Sequence, residues 1–165
     1  LIIAIAILII LTGMLAPQFM KYIEKSRLAK DMQTLDTVYT AVQGAIADED
    51  AYQDLSKKMA DSTKLENLKK GDGMTLSSVM AEEGDFSKEL YSLLGKDATA
   101  INKSFQSSLA QKKAGGEVYV SIDANMQVVV AFGAKANDPA VEGNNHLSVG
   151  SNEYIIATTP TTTAP

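Results

Sequence analysis

The feature that most constrains this chain is an N-terminal run without a single charged side chain, residues 1–20 of 165. Residues 1–15 alone contain eleven large apolar side chains. A helix rises about 1.5 Å per residue, so such a run matches a hydrocarbon core about 30 Å thick. Exposing those side chains to water costs on the order of 20 kcal/mol, at about 1.5–3 kcal/mol each. The run is therefore stable only in lipid or among similar helices.

Charged residues begin directly after this run. Lys21, Glu24, Lys25 and Arg27 suit lipid headgroups and the water beyond them. A secretory signal ends in a small-residue cleavage site, whereas this run continues through Pro17 into a long amphipathic pattern. Taken alone, the run is equally typical of an ordinary single-span membrane anchor. The residues that follow it decide between the interpretations.

An apolar stripe follows the charged residues, with spacings of four, three, four, three and four. Its members are Leu28, Met32, Leu35, Tyr39, Val42 and Ile46. At about 100° per residue they lie on one narrow face of a single helix. We predict that this stripe packs the helix, as a spine, on a head domain formed by the rest of the chain.

The helix changes its apolar face near residues 24–28. Extended backwards, the stripe meets charged residues, and the earlier apolar side chains lie roughly opposite. The residues predicted to contact other molecules are Leu1, Ile2, Ile5, Leu8, Ile9, Leu11, Leu15, Phe19, Tyr22 and Ile23. Away from the stripe lie mostly small residues, which either admit a neighbouring helix or are merely solvated: Thr34, Thr37, Ala41 and Gly44.

Three helix-weakening residues interrupt the apolar run. Pro17 removes one backbone hydrogen bond and clashes with the preceding turn, and Thr12 and Gly13 weaken the turn before it. We expect a kink or local unwinding at Thr12, Gly13 and Pro17.

These residues resemble a known family. An Ile/Leu/Ala run followed by Pro17-Gln18-Phe19 and by Tyr-Ile-Glu-Lys-Ser-Arg at residues 22–27 is similar to the N-terminal helix of bacterial type IV pilins. The similarity covers residues 1–35 and is closest to major pilins, including those of Gram-positive bacteria. The small residue usual upstream of the proline falls on Ile9, whereas the glycine here is Gly13.

The resemblance implies a processing and assembly pathway as well as a fold. It implies a leader removed by a prepilin peptidase, a methylated N-terminal residue and a glutamate shortly before Leu1. It also implies insertion in the cytoplasmic membrane, followed by assembly on a pilus platform driven by a motor ATPase. The product would be a homopolymeric type IV pilus (fimbrium) on the cell surface, serving adhesion, twitching motility or related tasks.

The head reads as short helices followed by strands. Helices are predicted at residues 55–70, 85–94 and 98–113, with Asp85 and Asp97 as N-caps and Gly95 as a stop. Strands are predicted at residues 117–122 and 126–132, joined by Asp123-Ala124-Asn125 as a hairpin, and at residues 153–158. The predicted fold class is α+β: a long N-terminal helix, half transmembrane and half amphipathic, on an antiparallel sheet of about three strands.

Four regions follow from these patterns. Residues 1–48 form the spine helix, with 1–20 in the membrane or filament core, and residues 49–114 form a helical connecting region. Residues 115–158 form the sheet. Residues 159–165 are a Thr/Pro tail, either disordered or glycosylated.

The composition does not indicate a catalytic, metal or cofactor site. There is no cysteine, and the sole histidine, His146, lies in a polar loop, so neither a catalytic residue, a metal site nor a cofactor site is predicted. A net charge of −5 gives the chain no electrostatic affinity for nucleic acid. We expect a structural protein and not an enzyme.

Two alternatives share the same spine. One is a minor pilin or adhesin with a ligand-binding head, and the other is a pseudopilin of a secretion or DNA-uptake system. An adhesive head would need an exposed aromatic platform, but Tyr91, Phe105 and Tyr119 are patterned for a core. DNA uptake would favour a basic head, and this one is acidic.

Overall fold

The computed structural model describes residues 1–61, 65–69, 71–112, 115–136, 138–142 and 145–150. Its first element, α1, is one helix of 46 residues, Ile2–Ala47. The shorter helices described after it are α2 (Glu49–Ala60), α3 (Leu76–Ala81), α4 (Asp85–Leu94), α5 (Ala98–Lys103) and α6 (Ser108–Lys112), with a 3₁₀ helix at Glu66–Lys69.

An antiparallel sheet follows the helices. The described strands are β1 (Met74–Thr75), β2 (Glu117–Ile122), β3 (Val128–Lys135), β4 (Asp138–Pro139), β5 (Val141–Glu142), β6 (Asn145–His146) and β7 (Ser148–Gly150). Their order in the main sheet is β1-β2-β3-β4, with β7 also paired to β3. β2 and β3 form its centre, in a register that pairs Val120 with Val130.

One edge of the sheet is a strand interrupted by a small hairpin. β4 and β7 both pair with β3, and between them Phe132 N–H donates to Leu147 C=O at 2.9 Å. Ala140 and Leu147 also pair, with Leu147 N–H donating to Ala140 C=O at 3.0 Å. The hairpin of β5 and β6 leaves the edge at this point. β4 and β7 thus act as one edge strand.

The second half of α1 packs on this sheet. α1 contacts β3 and β7 on one side and α4 and α2 on the other. The core is apolar side chains from all three layers, among them Leu35, Leu55, Phe86, Val120 and Val130. Two aromatic rings stack in the core, where the ring centroids of Phe105 and Phe132 are 4.2 Å apart. The predicted α+β class is confirmed.

The sheet is larger than predicted. The hairpin is confirmed, although its second strand begins at Val128 and Met126 adopts a positive φ of 59° in the turn. β1 joins the sheet from inside the region predicted to be only helical. The short β1, β4 and β7 were missed because strands of two or three residues are too short to show an alternating pattern. The strand predicted at residues 153–158 and the tail at 159–165 lie outside the described residues.

Helix starts differ from two of the predictions. α2 begins at Glu49 rather than residue 55, because the Asp48 side chain accepts a hydrogen bond from Ala51 N–H at 3.0 Å and caps the helix. Asp85 was predicted as an N-cap, and this is wrong. Gly84 occupies the cap position, while Asp85 is the first helical residue and pairs with Lys88 at 3.2 Å.

Other helix signals behaved as predicted. Asp97 caps α5 by accepting from Ala100 N–H at 2.6 Å. Gly95 ends α4 in the left-handed conformation, with φ of 62°, which favours glycine.

The helix predicted at residues 98–113 is instead two helices, α5 and α6, with a break at residues 104–107. α3, capped by Thr75, was not predicted.

Candidate assembly surface

The first part of α1 is bare. All of residues 1–20 are exposed, from Leu1 at 99% to Ile5 at 51%. α1 is long and apolar enough to cross a membrane by length and composition, and none of its most apolar stretch is buried in the chain. A core helix of a soluble domain passes the same test of length but is mostly buried. The apolar surface of this segment is therefore left uncovered by the head.

The structure places nearly all the residues predicted to contact other molecules on this bare surface. Ile23 is half-buried, and the exposed ones are Leu1, Ile2, Ile5, Leu8, Ile9, Leu11, Leu15, Phe19 and Tyr22. Thr12, Leu15, Ala16, Gln18, Phe19 and Tyr22 line a shallow apolar groove along the helix. What covers this surface stays a prediction.

The predicted stripe faces the head. Leu35 and Val42 are fully buried in the core. The other members are partly buried against it: Leu28, Met32, Tyr39 and Ile46. Every member of the stripe is therefore at least partly buried.

The buried face of α1 is wider than the stripe. Val38, Ala41 and Ala45 are also buried, because α1 lies between the sheet and α4. Ala41 was placed on the side away from the stripe, where small residues either admit a neighbouring helix or are solvated, and it is buried within the chain. Thr37 and Gly44 are exposed, but a Cβ built on Gly44 would lie only 3.0 Å from Leu93 Cδ1 of α4.

Two carboxylates of α1 bind the backbone at the start of α6. Asp31, which is fully buried, accepts from Gln106 N–H at 3.0 Å and from Ser107 N–H at 2.8 Å. Glu24 accepts from both the N–H and the hydroxyl of Ser108, at 2.6 and 2.8 Å. We call Glu24 and Asp31 the carboxylate clamp.

The clamp extends the attachment of the head towards the apolar run. The first N–H groups of a helix lack intrahelical partners and attract negative charge, so the clamp satisfies donors that burial would otherwise leave unpaired. Charge-assisted hydrogen bonds of this kind contribute about 1.5–3 kcal/mol each. Sequence reasoning missed the clamp because it took charge as the end of the stripe. Glu24, Leu28, Asp31 and Leu35 nevertheless follow the same four-three-four spacing.

α1 is unbroken through Thr12, Gly13 and Pro17. The Thr12 hydroxyl donates to Leu8 C=O at 2.7 Å. Pro17 has no N–H, so the Gly13 carbonyl lacks its usual donor within the helix. The single chain thus keeps this segment helical, and its unwinding on assembly stays a prediction.

A second polar cluster joins α2 to α4. Asp54 Oδ2 pairs with Lys58 Nζ at 3.0 Å and accepts from Phe86 N–H at 3.1 Å. Burial raises the pKa of the Asp54 carboxyl, but the hydrogen bonds from Lys58 and Phe86 outweigh it and leave the pKa below its ordinary value. Lys58 also donates to Glu83 C=O. A Cβ on Gly84 would overlap both charged groups, so a larger residue there has to displace the Lys58 and Asp54 side chains.

The aromatic side chains named as core candidates differ in burial. Phe105 is buried, Tyr119 is half-buried and Tyr91 is 54% exposed on α4. The prediction for Tyr91 is therefore wrong. Its ring stands at the rim of an open hollow that Glu82, Glu83 and Lys88 also line.

The described residues also contain no group of side chains placed to bind a metal ion. In the described ranges, no three His, Cys, Asp or Glu side chains are placed to hold a metal ion. His146 lies on β6, where its Nδ1 is 2.8 Å from the Ser148 hydroxyl. The most prominent feature is instead the bare apolar half of α1, which is continuous with the half that packs in the head.

Comparison with protein-family models, curated proteins and solved structures finds no match for this chain.

Proposed function

We propose that this chain is the structural subunit of a type IV pilus-like filament on the cell surface. The observation that carries the proposal is that one unbroken helix is bare and apolar over residues 1–20 and forms the core of a folded head over its second half. The two halves have different packing partners. The head covers the second half, and lipid or other copies of the chain must cover the first.

The energetics favour exchange between those two environments. In a bilayer, the apolar side chains are surrounded by lipid tails, and in a bundle they are surrounded by equally apolar helices. Transfer from lipid to a filament core therefore changes the hydrophobic free energy little. An assembly motor would need to supply only the difference, which suits a filament that extends from the membrane.

The pilin resemblance of residues 1–35 supports the same proposal. Under it, the chain is inserted in the cytoplasmic membrane, processed by a prepilin peptidase, methylated at its N-terminus and polymerised by a platform with a motor ATPase. The filament would serve adhesion, twitching motility or related surface tasks. The acidic head favours these roles over DNA uptake, because duplex DNA repels a negatively charged surface.

The test is electron microscopy of filaments sheared from cells that produce this chain, with mass spectrometry of their main component. Thin filaments composed chiefly of this chain, with a methylated N-terminus, are the expected result. Filaments that contain it only in traces would instead indicate a minor pilin or a pseudopilin. A chain found only as a monomer in the membrane would contradict assembly altogether.

A further inference from the structure

The lower part of the spine carries four exposed cations. Lys21, Lys25, Arg27 and Lys30 follow the apolar run, and we call them the basic collar. The two carboxylates within the same stretch are Glu24 and Asp31, and both are bound to the head backbone. Within the described part of the chain no ion pair joins a collar cation, so no carboxylate there offsets the collar.

Opposite charge lies at the other end of the spine. Residues 1–47 carry four Lys and Arg against three Asp and Glu, whereas the remaining residues carry eleven against seventeen. Asp48, Glu49 and Asp50 stand exposed at the junction of α1 and α2, and we call them the acidic corner. Asp48 accepts from Ala51 N–H and Glu49 from the Gln53 side chain, but no cation of the described ranges pairs with the corner.

The two surfaces cannot meet within one chain. Lys25 and Asp48 are 23 residues apart along an unbroken helix, which separates them by about 35 Å. Two parallel copies displaced by that distance along the helix axis bring the collar of one beside the corner of the other. This contact joins different surfaces of identical chains, so it repeats without closing and generates a filament.

We propose that the basic collar binds the acidic corner of a second copy displaced by about 35 Å along the spine. The proposal rests on the proposed function and deepens it, because it assigns one contact and one axial offset within the filament. Attraction between the surfaces selects the parallel, offset arrangement over one in which like charges face each other.

Anionic lipid headgroups are the other candidate for the collar, and its length argues against them. The headgroup layer on each side of the hydrocarbon core is about 5–8 Å thick. Lys21 lies within that distance of the apolar run, whereas Lys30 lies about 15 Å beyond residue 20 along the helix. Lys30 lies beside the head, in a groove that α1 forms with α5. Lipid can therefore neutralise only part of the collar.

Disulfide cross-linking tests the contact directly, because the natural chain has no cysteine. The double variant Arg27→Cys/Asp50→Cys introduces two thiols too far apart to bond within one chain, since a disulfide needs Cα atoms within about 7 Å. In oxidised filaments we expect a ladder of covalent oligomers. The matched control Arg27→Cys/Glu83→Cys places the second thiol elsewhere on the exposed head surface and should give no ladder. Equal ladders in both variants, or none in the first, would overturn the proposal.

Charge reversal supplies the second measurement. Asp50→Lys should lower filament yield about tenfold, because attraction becomes repulsion at every repeat of the contact. Glu83→Lys changes the net charge equally and should leave the yield unchanged. Adding Arg27→Glu to Asp50→Lys should restore it. Equal yields for the Asp50 and Glu83 variants would overturn the collar contact.

The unmodified chain separates the two proposals. If it forms no filaments, the proposed function itself fails. If it forms filaments whose subunits show no neighbour offset near 35 Å in a cryo-EM reconstruction, only the collar contact fails. Filaments without the cross-link, together with loss of binding to phosphatidylglycerol vesicles in Arg27→Glu, would assign the collar to lipid and overturn the contact between copies.

Discussion

The two halves of α1 belong to one helix but differ in charge and in burial. Residues 1–20 are exposed and uncharged, and no other described part of the chain covers them. From Glu24 onward the same helix is clamped to the head, and one of its faces is buried against the sheet and the shorter helices. Continuous backbone hydrogen bonding couples the halves mechanically, while side-chain burial gives them different environments. The comparison shows how a single rigid element can carry a folded domain at one end and an unsatisfied apolar surface at the other.

A charge in the bare half should have the largest effect. Leu8→Lys places an ammonium group near the middle of the apolar run, at about 2.5–3.5 kcal/mol in a bilayer. We expect filaments to be lost, because every subunit repeats the cost, while the unfolding temperature of the head stays unchanged. Thr40→Lys, on an exposed position of the second half, is the control and should still assemble. Electron microscopy and thermal unfolding of detergent-solubilised chain measure the two outcomes.

Truncation in the buried half should act on stability. Leu35→Ala opens a cavity in the core and should lower the free energy of unfolding by about 2–5 kcal/mol. Leu8→Ala removes the same atoms from the bare half and should change that free energy little. Denaturant unfolding in detergent, followed by near-UV circular dichroism, compares the two. Equal losses would mean that the halves are not separately packed.

The carboxylate clamp marks the boundary between the halves. Asp31→Ala leaves the part-buried N–H of Gln106 and the buried N–H of Ser107 without their acceptor and should cost about 1.5–3 kcal/mol. The exposed Asp36→Ala is its matched control on the same helix. Hydrogen exchange should also rise in α6 for the first variant only. Unchanged exchange there would show that the clamp does not hold the head to the spine.

Replacing Gly13 should have a smaller effect on stability, in the opposite direction. A Cβ there meets no atom within 4 Å, so Gly13→Ala should stabilise the helix by about 0.5–1 kcal/mol. Hydrogen exchange of residues 12–17 in detergent should slow. If unwinding of this segment is part of assembly, filament yield should fall as the helix becomes more stable. Gly44→Ala, which meets Leu93 at 3.0 Å, is the control in the packed half.

The smallest expected effect is the acid sensitivity of the link between α2 and α4. Because the folded pKa of Asp54 lies below its unfolded value, its contribution is present above the unfolded pKa of about 3.9 and is lost as pH falls through the folded pKa. Asp54→Asn should therefore flatten the loss of stability at acidic pH. Unfolding free energies of both proteins across pH 2–6, in steps of about one pH unit, provide the comparison. Identical slopes would contradict the assignment.

Local signals predicted some elements well and others poorly. The end of α4 and the cap of α5 followed from Gly95 and Asp97, since these act over three or four residues. The division between α5 and α6 did not, because the N–H groups at residues 106–107 bind a carboxylate 75 positions earlier in the chain. β1 and β7 are similar cases, since each is a strand only by virtue of the neighbour it pairs with.

The assembly surface was predictable for a different reason. An uncharged run of this length in residues 1–20 has few stable environments, whatever the rest of the chain does. Its exposure in the folded chain needed the structure, because the same run buried in a larger core would have had the same sequence. Ala41 illustrates the limit: its size suited either a neighbouring helix or solvent, and only the structure shows that it is buried within the chain.

Composition and period by themselves determined the long helix, its uncharged first half, the apolar stripe and the central hairpin, because each depends on residues close together in the chain. Tertiary structure alone decided that Glu24 and Asp31 face the head, that the buried face reaches Ala45 and that two short segments complete one sheet edge. Those features depend on partners distant in sequence. Burial and hydrogen bonding with such partners assign a charged or small residue to one face of a helix, and its own chemistry does not.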